Sequence, residues 1–250
     1  MNKPARVQLQ GHTSRKTQIL NGVPQGGVLS PTLFLIYIND ITENIPRSVH
    51  SSLYADDLAL WSSAKYVQIA NSCMQTALRS LESWSSKWLL KINESKTTYT
   101  NFTLSTKRQE ATLVLNGKAL RADETPSYLG ITLDRRLTWK PHLNKAQARA
   151  KLRLGIMRKL AGTTWGADMN VLKKLYVGRV RPVLEYGMSA WATTSQTNFE
   201  KVQRVQNCAA RIITGSLRST PINRYSPFHL YNVQIQMQPR RHGKVQLWQS

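Results

Sequence analysis

Apolar positions along the chain change their period more than once, and each change predicts a different element. Arg6 to Gln10 and Lys16 to Leu20 read as two short strands around the turn signal GHTS, an opening hairpin. From Pro31 the period lengthens: Leu33, Phe34, Tyr37, Ile38 and Ile41 recur at helical spacing, Ser30 is placed to cap, and Pro31 suits the first turn. This helix is expected to end between Asn44 and Pro46. Ser51 to Tyr54 and Leu58 to Trp61 then flank Ala55-Asp56-Asp57, a second hairpin with acids at its tip.

A long helix follows from Val67, carried by Ile69, Met74, Ala77, Leu78, Leu81, Trp84, Trp88 and Leu89, and stopping before Asn93. Thr97 to Leu104, Ala111 to Leu115 and Tyr128 to Leu133 are further strands, and Asn116-Gly117 is a strong hairpin turn signal. After Trp139 strand signals stop. Helices are predicted over His142 to Leu160, Met169 to Tyr186 and Phe199 to Ile213. Beyond Gly215 the periodicity is sparse, with Pro221, Pro227 and Pro239, and no firm structure is assigned. The class is α+β, with a mixed first part over 1–134, a helical part over 135–215 and an extension over 216–250.

Composition sharpens this picture. The 250 residues leave room for a substantial core, and Cys73 and Cys208 stand without metal-ligand spacing, as buried free thiols. The opening segment lacks the apolar core of a signal peptide, and the run from Leu33 to Ile38 is too short to span a bilayer. A soluble intracellular chain, nuclear or cytoplasmic and without a membrane partner, is expected. Lys and Arg number 35 against 13 Asp and Glu, a formal charge of +22 that favours a polyanionic partner. The excess is concentrated: thirteen Lys or Arg lie between Arg135 and Arg181, with Asp168 the one acid among them.

The adjacent carboxylates in LYADDLALW pose the chemical question. Two neighbouring aspartates on an exposed turn repel each other unless a cation relieves them. Hard oxygen donors of this kind suit Mg²⁺, which keeps waters and takes further ligands from substrate phosphates, as two-metal phosphoryl transfer requires. The ordinary alternative is that aspartate favours turns for backbone reasons. Upstream, NGVPQGGVLSP sets glycines and prolines around Gln25, a rigid loop whose backbone can approach a flat or phosphorylated ligand. In the basic part, Leu143, Ala146, Ala150, Leu154, Met157 and Leu160 form one helical face while Lys145, Arg149, Arg153 and Lys159 lie largely off it. A face so uniformly basic suits tracking of nucleic-acid phosphates. His142 is expected to be structural, and Trp84, Trp88, Trp165 and Trp191 to anchor cores.

Taken in order, NGVPQGGVLSPTLFLIYINDI, YADDLALW, LKINESKT and YLGITLD resemble the later palm motifs of a reverse transcriptase, and their wording is most similar to the jockey-like group of non-LTR retrotransposons. A weaker likeness extends through WKPHLNKA. The resemblance implies a partial polymerase palm, an antiparallel sheet with helices, followed by an all-helical thumb. It implies RNA-directed DNA polymerase activity with Mg²⁺ or Mn²⁺, an RNA template, a DNA primer and deoxynucleoside triphosphates. On it, Asp56 and Asp57 fall on the metal-binding acidic pair, Tyr54 and Ala55 near the primer terminus, and Gln25, Gly26 and Gly27 on the loop lining the incoming nucleotide and templating base. Lys96 matches a lysine assisting the departing pyrophosphate; Tyr128, Leu129 and Gly130 match the primer grip; and Lys145, Arg149 and Arg153 would follow the nucleic-acid backbone.

One expected part has no match. The metal site of such enzymes uses a further aspartate on an AFD-like strand upstream of the glycine loop, and residues 1–20 contain no acid. The expectation is therefore a carboxy-terminal polymerase fragment, inactive alone, whose missing palm and fingers come from a longer product or a partner chain. A non-catalytic nucleic-acid-binding remnant of a mobile element is the alternative.

Overall fold

Pro31 and the apolar run behind it start the first helix, α1 (Ser30–Ile38), with Leu29 at the capping position and Pro31 in the first turn. Ser30 lies one position inside the helix rather than capping it, and its N–H donates to the Gly27 carbonyl at 3.2 Å. The helix also ends earlier than its apolar spacing predicts. From Asn39 the chain continues in single turns, with Ile41, Glu43 and Ile45 each bonding back three residues, and Asp40 accepts the Trp84 indole N–H at 2.9 Å.

The structure is a computed structural model that describes residues 3–6, 8–19, 26–105, 111–162 and 166–220, with 3–5 and 17–19 described as backbone. It divides into two compact units, Met1–Leu129 and Gly130–Ser250.

In the first unit Lys3–Ala5 pairs antiparallel with Thr17–Ile19, and Gln8–Leu9 with His12–Thr13 around Gln10 and Gly11, both at positive φ. The second hairpin joins His50–Tyr54 to Asp57–Trp61. Helix α2 (Val67–Trp88) buries Ala77, Leu78, Leu81 and Trp84, and closes at Leu89 in the left-handed region. Trp88 and Leu89 remain 36% and 73% exposed, so the core stops at Trp84. The buried α2 residues meet Ile38, Ile41, Leu113, Leu115 and Leu120, with Phe34, Tyr37, Leu53, Leu58 and Leu60 packed against them. Leu33, expected on the same inner face, is 52% exposed because it lies on the opposite side of α1 from Ile38. Gln75 fastens the strand Val114–Leu115 to α2: its amide donates to the Val114 carbonyl at 2.8 Å and accepts the Val114 N–H at 2.9 Å. Asn116 and Gly117, at φ of 50° and 74°, form the turn to Lys118–Ala119.

The strands make separate two-stranded ladders rather than one sheet, and Thr98–Tyr99 pairs with Arg121–Ala122 in parallel. The strand expected from Tyr128 to Leu133 is interrupted: Ser127–Tyr128 and Ile131–Thr132 flank a turn at Leu129 and Gly130, both at positive φ. Class α+β holds, with small ladders in place of the expected antiparallel sheet.

The second unit is helical. Asp134 organises its entry by accepting the N–H of Thr138 at 3.0 Å and of Trp139 at 2.8 Å, just ahead of α3 (Lys140–Leu160). Helix α4 (Met169–Leu175) is capped by Asp168, which accepts the Val171 N–H at 2.7 Å. The single helix expected to Tyr186 is broken. Tyr176–Val180 widens into a π-helical turn before α5 (Arg181–Glu185), where Pro182 lacks the N–H that would continue the α ladder. Helix α6 (Met188–Trp191) and α7 (Gln196–Thr214) complete the unit, with Gly215 ending α7 at φ 64°. Leu143, Ala150, Leu154 and Met157 of α3 pack with Tyr176, Val180, Leu184, Trp191, Val205 and Ala209. Leu160 sits at the rim, 37% exposed. Both cysteines are free and half-buried rather than fully buried, and Trp165 lies outside the described residues.

Candidate active site

The hairpin His50–Trp61 is built by its own alternation. Leu53, Leu58 and Leu60 pack on the core of the first unit, and the register runs from His50 opposite Trp61 to Tyr54 opposite Asp57. At its open end the His50 and Trp61 rings stack with centroids 5.7 Å apart. At its tip Ala55 adopts φ 50°, a conformation costing an L-residue about 1–2 kcal/mol. The strain sits beside the acids, where Asp56 ends the turn and Asp57 begins the second strand.

What these two side chains do not do separates them from the other aspartates. Asp40 accepts the Trp84 indole, Asp123 accepts the Thr125 N–H at 2.9 Å, Asp134 holds Thr138 and Trp139, and Asp168 caps α4. Asp56 and Asp57 are exposed and, among the described residues, take no hydrogen bond or ion pair. An aspartate selected for its turn would bond the backbone near it; here both carboxylates stay open to a ligand. Their hard oxygens suit a divalent cation as two ligands of a larger set. No group of three or more His, Cys, Asp or Glu is gathered among the described residues.

The other sequence-predicted residues are placed as follows. Tyr54 flanks the tip, 65% exposed. Gly26, at φ 82°, is exposed and Gly27 is half-buried ahead of α1, while Gln25 lies outside the described residues. Lys96 is exposed in a turn ordered by Asn93, whose side-chain oxygen accepts the N–H of Ser95 at 3.1 Å and of Lys96 at 3.3 Å. No hydrogen bond or ion pair joins Lys96 to Asp56 or Asp57. Tyr128 does reach the hairpin: its hydroxyl lies 3.4 Å from both the carbonyl and the hydroxyl oxygen of Ser52. Ser52 was not signalled by the sequence, because nothing local links positions 76 residues apart. At Gly130, with φ 77°, an added Cβ would stand 3.2 Å from the Tyr186 ring.

In the second unit the basic residues divide by what holds them. Lys145 donates to the Thr132 hydroxyl at 3.1 Å, and the Arg153 guanidinium donates to the Arg179 carbonyl in the π-helical turn. Arg149 is exposed and makes no hydrogen bond with a described residue. His142 is buried and its Nδ1 accepts the Thr132 N–H at 3.3 Å. Burial lowers its pKa from 6.5, the Tyr186 carbonyl opposes that shift, and Arg149 and Lys145 reinforce it. The ring is thus held neutral in a structural position. Among the described residues no helix is long and apolar enough to cross a membrane.

Comparison with known proteins adds a family to this geometry. Residues 2–133 match the family described as reverse transcriptase (RNA-dependent DNA polymerase). The chain is 34% identical over 232 residues to the "Probable RNA-directed DNA polymerase from transposon BS" of Drosophila melanogaster, covering 89% of this chain and 26% of that protein. It is 29% identical over 216 residues to the "RNA-directed DNA polymerase from mobile element jockey" of Drosophila melanogaster, covering 84% of this chain and 24% of that protein. To the "Probable RNA-directed DNA polymerase from transposon X-element" of the same species it is 25% identical over 224 residues, 87% of this chain and 25% of that protein. The chain therefore spans about a quarter of the length of these curated relatives. No solved structure matches the chain significantly.

Proposed function

Because the chain belongs to the reverse transcriptase (RNA-dependent DNA polymerase) family of mobile elements, we propose that it contributes the acidic hairpin and a nucleic-acid-binding helical unit to template-directed DNA synthesis on RNA. In this reading the first unit is part of a polymerase palm and the second a thumb. The reaction is attack of a primer 3′-hydroxyl on the α-phosphate of a deoxynucleoside triphosphate, with release of pyrophosphate.

The observation that carries the reading is the state of Asp56 and Asp57, the aspartates whose carboxylates the described fold leaves unspent. They would hold Mg²⁺ or Mn²⁺, which when bound supplies charge neutralisation and activation of the attacking hydroxyl. The hairpin's contribution is to hold both carboxylates at a tip backed by Leu53, Leu58 and Leu60, with the Tyr128 hydroxyl beside Ser52. Tyr54 and Ala55 would face the primer end, and Gln25, Gly26 and Gly27 the nucleotide and templating base. Lys96, extended from its Asn93-ordered turn, would meet the departing pyrophosphate as a mobile cation. Tyr128, Leu129 and Gly130 would grip the primer strand. Arg149 on α3 would follow the phosphate backbone, while Lys145 and Arg153 are engaged by the Thr132 hydroxyl and the Arg179 carbonyl.

A further carboxylate must come from polypeptide outside the described residues, whether a longer product or a partner chain. The absence of a third gathered acid among the described residues also favours a second reading, a nucleic-acid-binding remnant without catalysis. Primer extension on an RNA template separates the two. The chain joined to a segment bearing the missing aspartate should extend a primer, and Asp56→Asn or Asp57→Asn should reduce the rate by at least about a hundredfold, the scale of losing one transition-state contact. Extension indifferent to both substitutions would end the proposal, and nucleic-acid binding without any extension would leave the second reading.

A further inference from the structure

Two consecutive residues of the turn between Ser127–Tyr128 and Ile131–Thr132 lie in the left-handed region, Leu129 at φ 47° and Gly130 at φ 77°. Glycine adopts it freely, whereas leucine is strained there. A backbone held in such a state needs surroundings that fix it, and the strand after the turn has them. Thr132 is buried, its N–H donating to His142 Nδ1 at 3.3 Å and its hydroxyl accepting from Lys145 at 3.1 Å. Ile131 packs so closely on Gly187 that a Cβ added there would stand 2.6 Å from Ile131 Cδ1.

Tyr186 reaches the turn itself. A Cβ added to Gly130 would stand 3.2 Å from Tyr186 Cε1 and 3.4 Å from its hydroxyl oxygen, so the hydroxyl edge of the ring lies against the Gly130 backbone. The main chain that carries this ring is well fixed. Its carbonyl accepts the indole N–H of the buried Trp191 at 2.9 Å and lies beside His142, and Gly187 then turns at φ 65° to start α6. The residue is nevertheless 53% exposed. A ring so open to solvent adds little to a core, and its placement serves the exposed glycine in front of it.

We propose that Tyr186 is a positioning residue for the primer strand: its ring is the stop against which the Leu129–Gly130 turn rests, and the turn so held sets where the primer 3′ end lies. The inference rests on the polymerase reading for what the turn holds. Two features separate this role from packing. The Tyr186 carbonyl, not the ring, makes the bond to Trp191, so the ring can be removed with the fold kept. Gly130 has no side chain to seat itself, so its backbone follows what lies against it. A shift of the turn by about 1 Å would misplace the primer end, and misplacement on that scale costs about a hundredfold in rate.

The first test reads the primer end directly and needs no catalysis. The full chain is saturated with an RNA template carrying a DNA primer whose 3′-terminal base is a fluorescent adenine analogue. The unsubstituted chain should change the fluorescence. Tyr186→Ala should abolish that change while duplex affinity and melting temperature hold, since phosphate contacts carry the affinity. Tyr186→Phe keeps the ring and should keep the change. Gly130→Ala should lower the melting temperature, and lower it less in the Tyr186→Ala background, where the ring it would meet is gone. In the chain joined to a segment bearing the missing aspartate, Tyr186→Ala should reduce kcat at least about tenfold with KM for the nucleotide changed less than about twofold. No fluorescence change with the unsubstituted chain, a change that Tyr186→Ala leaves intact, or one lost equally in Tyr186→Phe overturns the proposal. So does a loss that tracks affinity or folding, or a kcat untouched by Tyr186→Ala. A primer-end signal that depends on the Tyr186 ring, in a completed chain that extends no primer, upholds the positioning role and removes the catalytic reading.

Discussion

Replacing Arg149 with alanine should weaken nucleic-acid binding in a salt-dependent way, and replacing Arg153 should not. The two look equivalent on α3 until their partners are compared. Arg149 is exposed and without a hydrogen-bond partner among the described residues, whereas Arg153 spends its guanidinium on the Arg179 carbonyl. Each phosphate neutralised contributes about −0.9 to the slope of log K against log salt concentration. Losing one contact at Arg149 should flatten the slope by about 0.9, which amounts to about an eightfold loss at 0.1 M salt relative to 1 M. Arg153→Ala should instead remove a charge-assisted hydrogen bond to an exposed carbonyl of the π-helical turn, destabilising the fold by about 0.5–1.5 kcal/mol with less than half the slope change. Fluorescence anisotropy with an RNA–DNA duplex between about 50 and 200 mM salt, beside thermal melting of each variant, reads both effects. A full slope loss in Arg153→Ala at unchanged melting temperature would refute the reasoning, because it would put that side chain on a phosphate. An unchanged slope in Arg149→Ala would move the nucleic-acid path off α3.

Three further outcomes follow from side chains already placed. His142 has its pKa lowered from 6.5, so the unfolded chain takes up the proton first; its contribution to stability should be complete above pH 6.5 and be lost as pH falls below that value toward the lower folded pKa. Denaturant titrations across that range should show an acid-side loss that His142→Gln lacks, and identical pH profiles would contradict the assignment. Gly187→Ala places a Cβ 2.6 Å from Ile131 Cδ1 at φ 65°, and should cost about 2–3 kcal/mol, against about 1 kcal/mol for Gly117→Ala, which has open space at φ 74°; equal losses in melting experiments would count against the packing at Gly187. Asp57→Asn should leave the metal-free chain as stable as before or slightly more so, because the carboxylate takes no hydrogen bond from a described residue and sits beside Asp56; a clear drop in melting temperature would make Asp57 a turn residue.

Period and punctuation made much of the fold legible. Helix α2 ends within a residue of where Trp88 and Leu89 complete its spacing, and Asn116-Gly117 turns as an Asn-Gly pair should. The acid-tipped hairpin followed from alternation on either side of Ala55. Misreadings fall where a local pattern met a constraint that acts across the structure. Apolar spacing continues to Ile41, yet α1 stops at Ile38, where the chain turns and Asp40 reaches Trp84. Tyr128 to Leu133 reads as a strand, but Leu129 turns into positive φ, which an apolar residue does not advertise. Helical periodicity runs through Tyr176–Val180 and cannot register the change of hydrogen-bond ladder ahead of Pro182.

For the candidate site, composition identified the basic region but not how its cations are engaged. The bonds from Lys145 to Thr132 and from Arg153 to Arg179 depend on tertiary packing. The same holds for the acids: six aspartates look alike in sequence, and their hydrogen bonds distinguish the pair left open at the hairpin tip.

The most direct measurement of the central claim is single-nucleotide primer extension on an RNA template with Mg²⁺, by the chain completed with a polypeptide that supplies the further aspartate. The account predicts extension that falls by at least about a hundredfold in Asp56→Asn and in Asp57→Asn, with duplex affinity and melting temperature held. Extension that survives both substitutions would contradict it, as would loss of extension that merely tracks loss of folding.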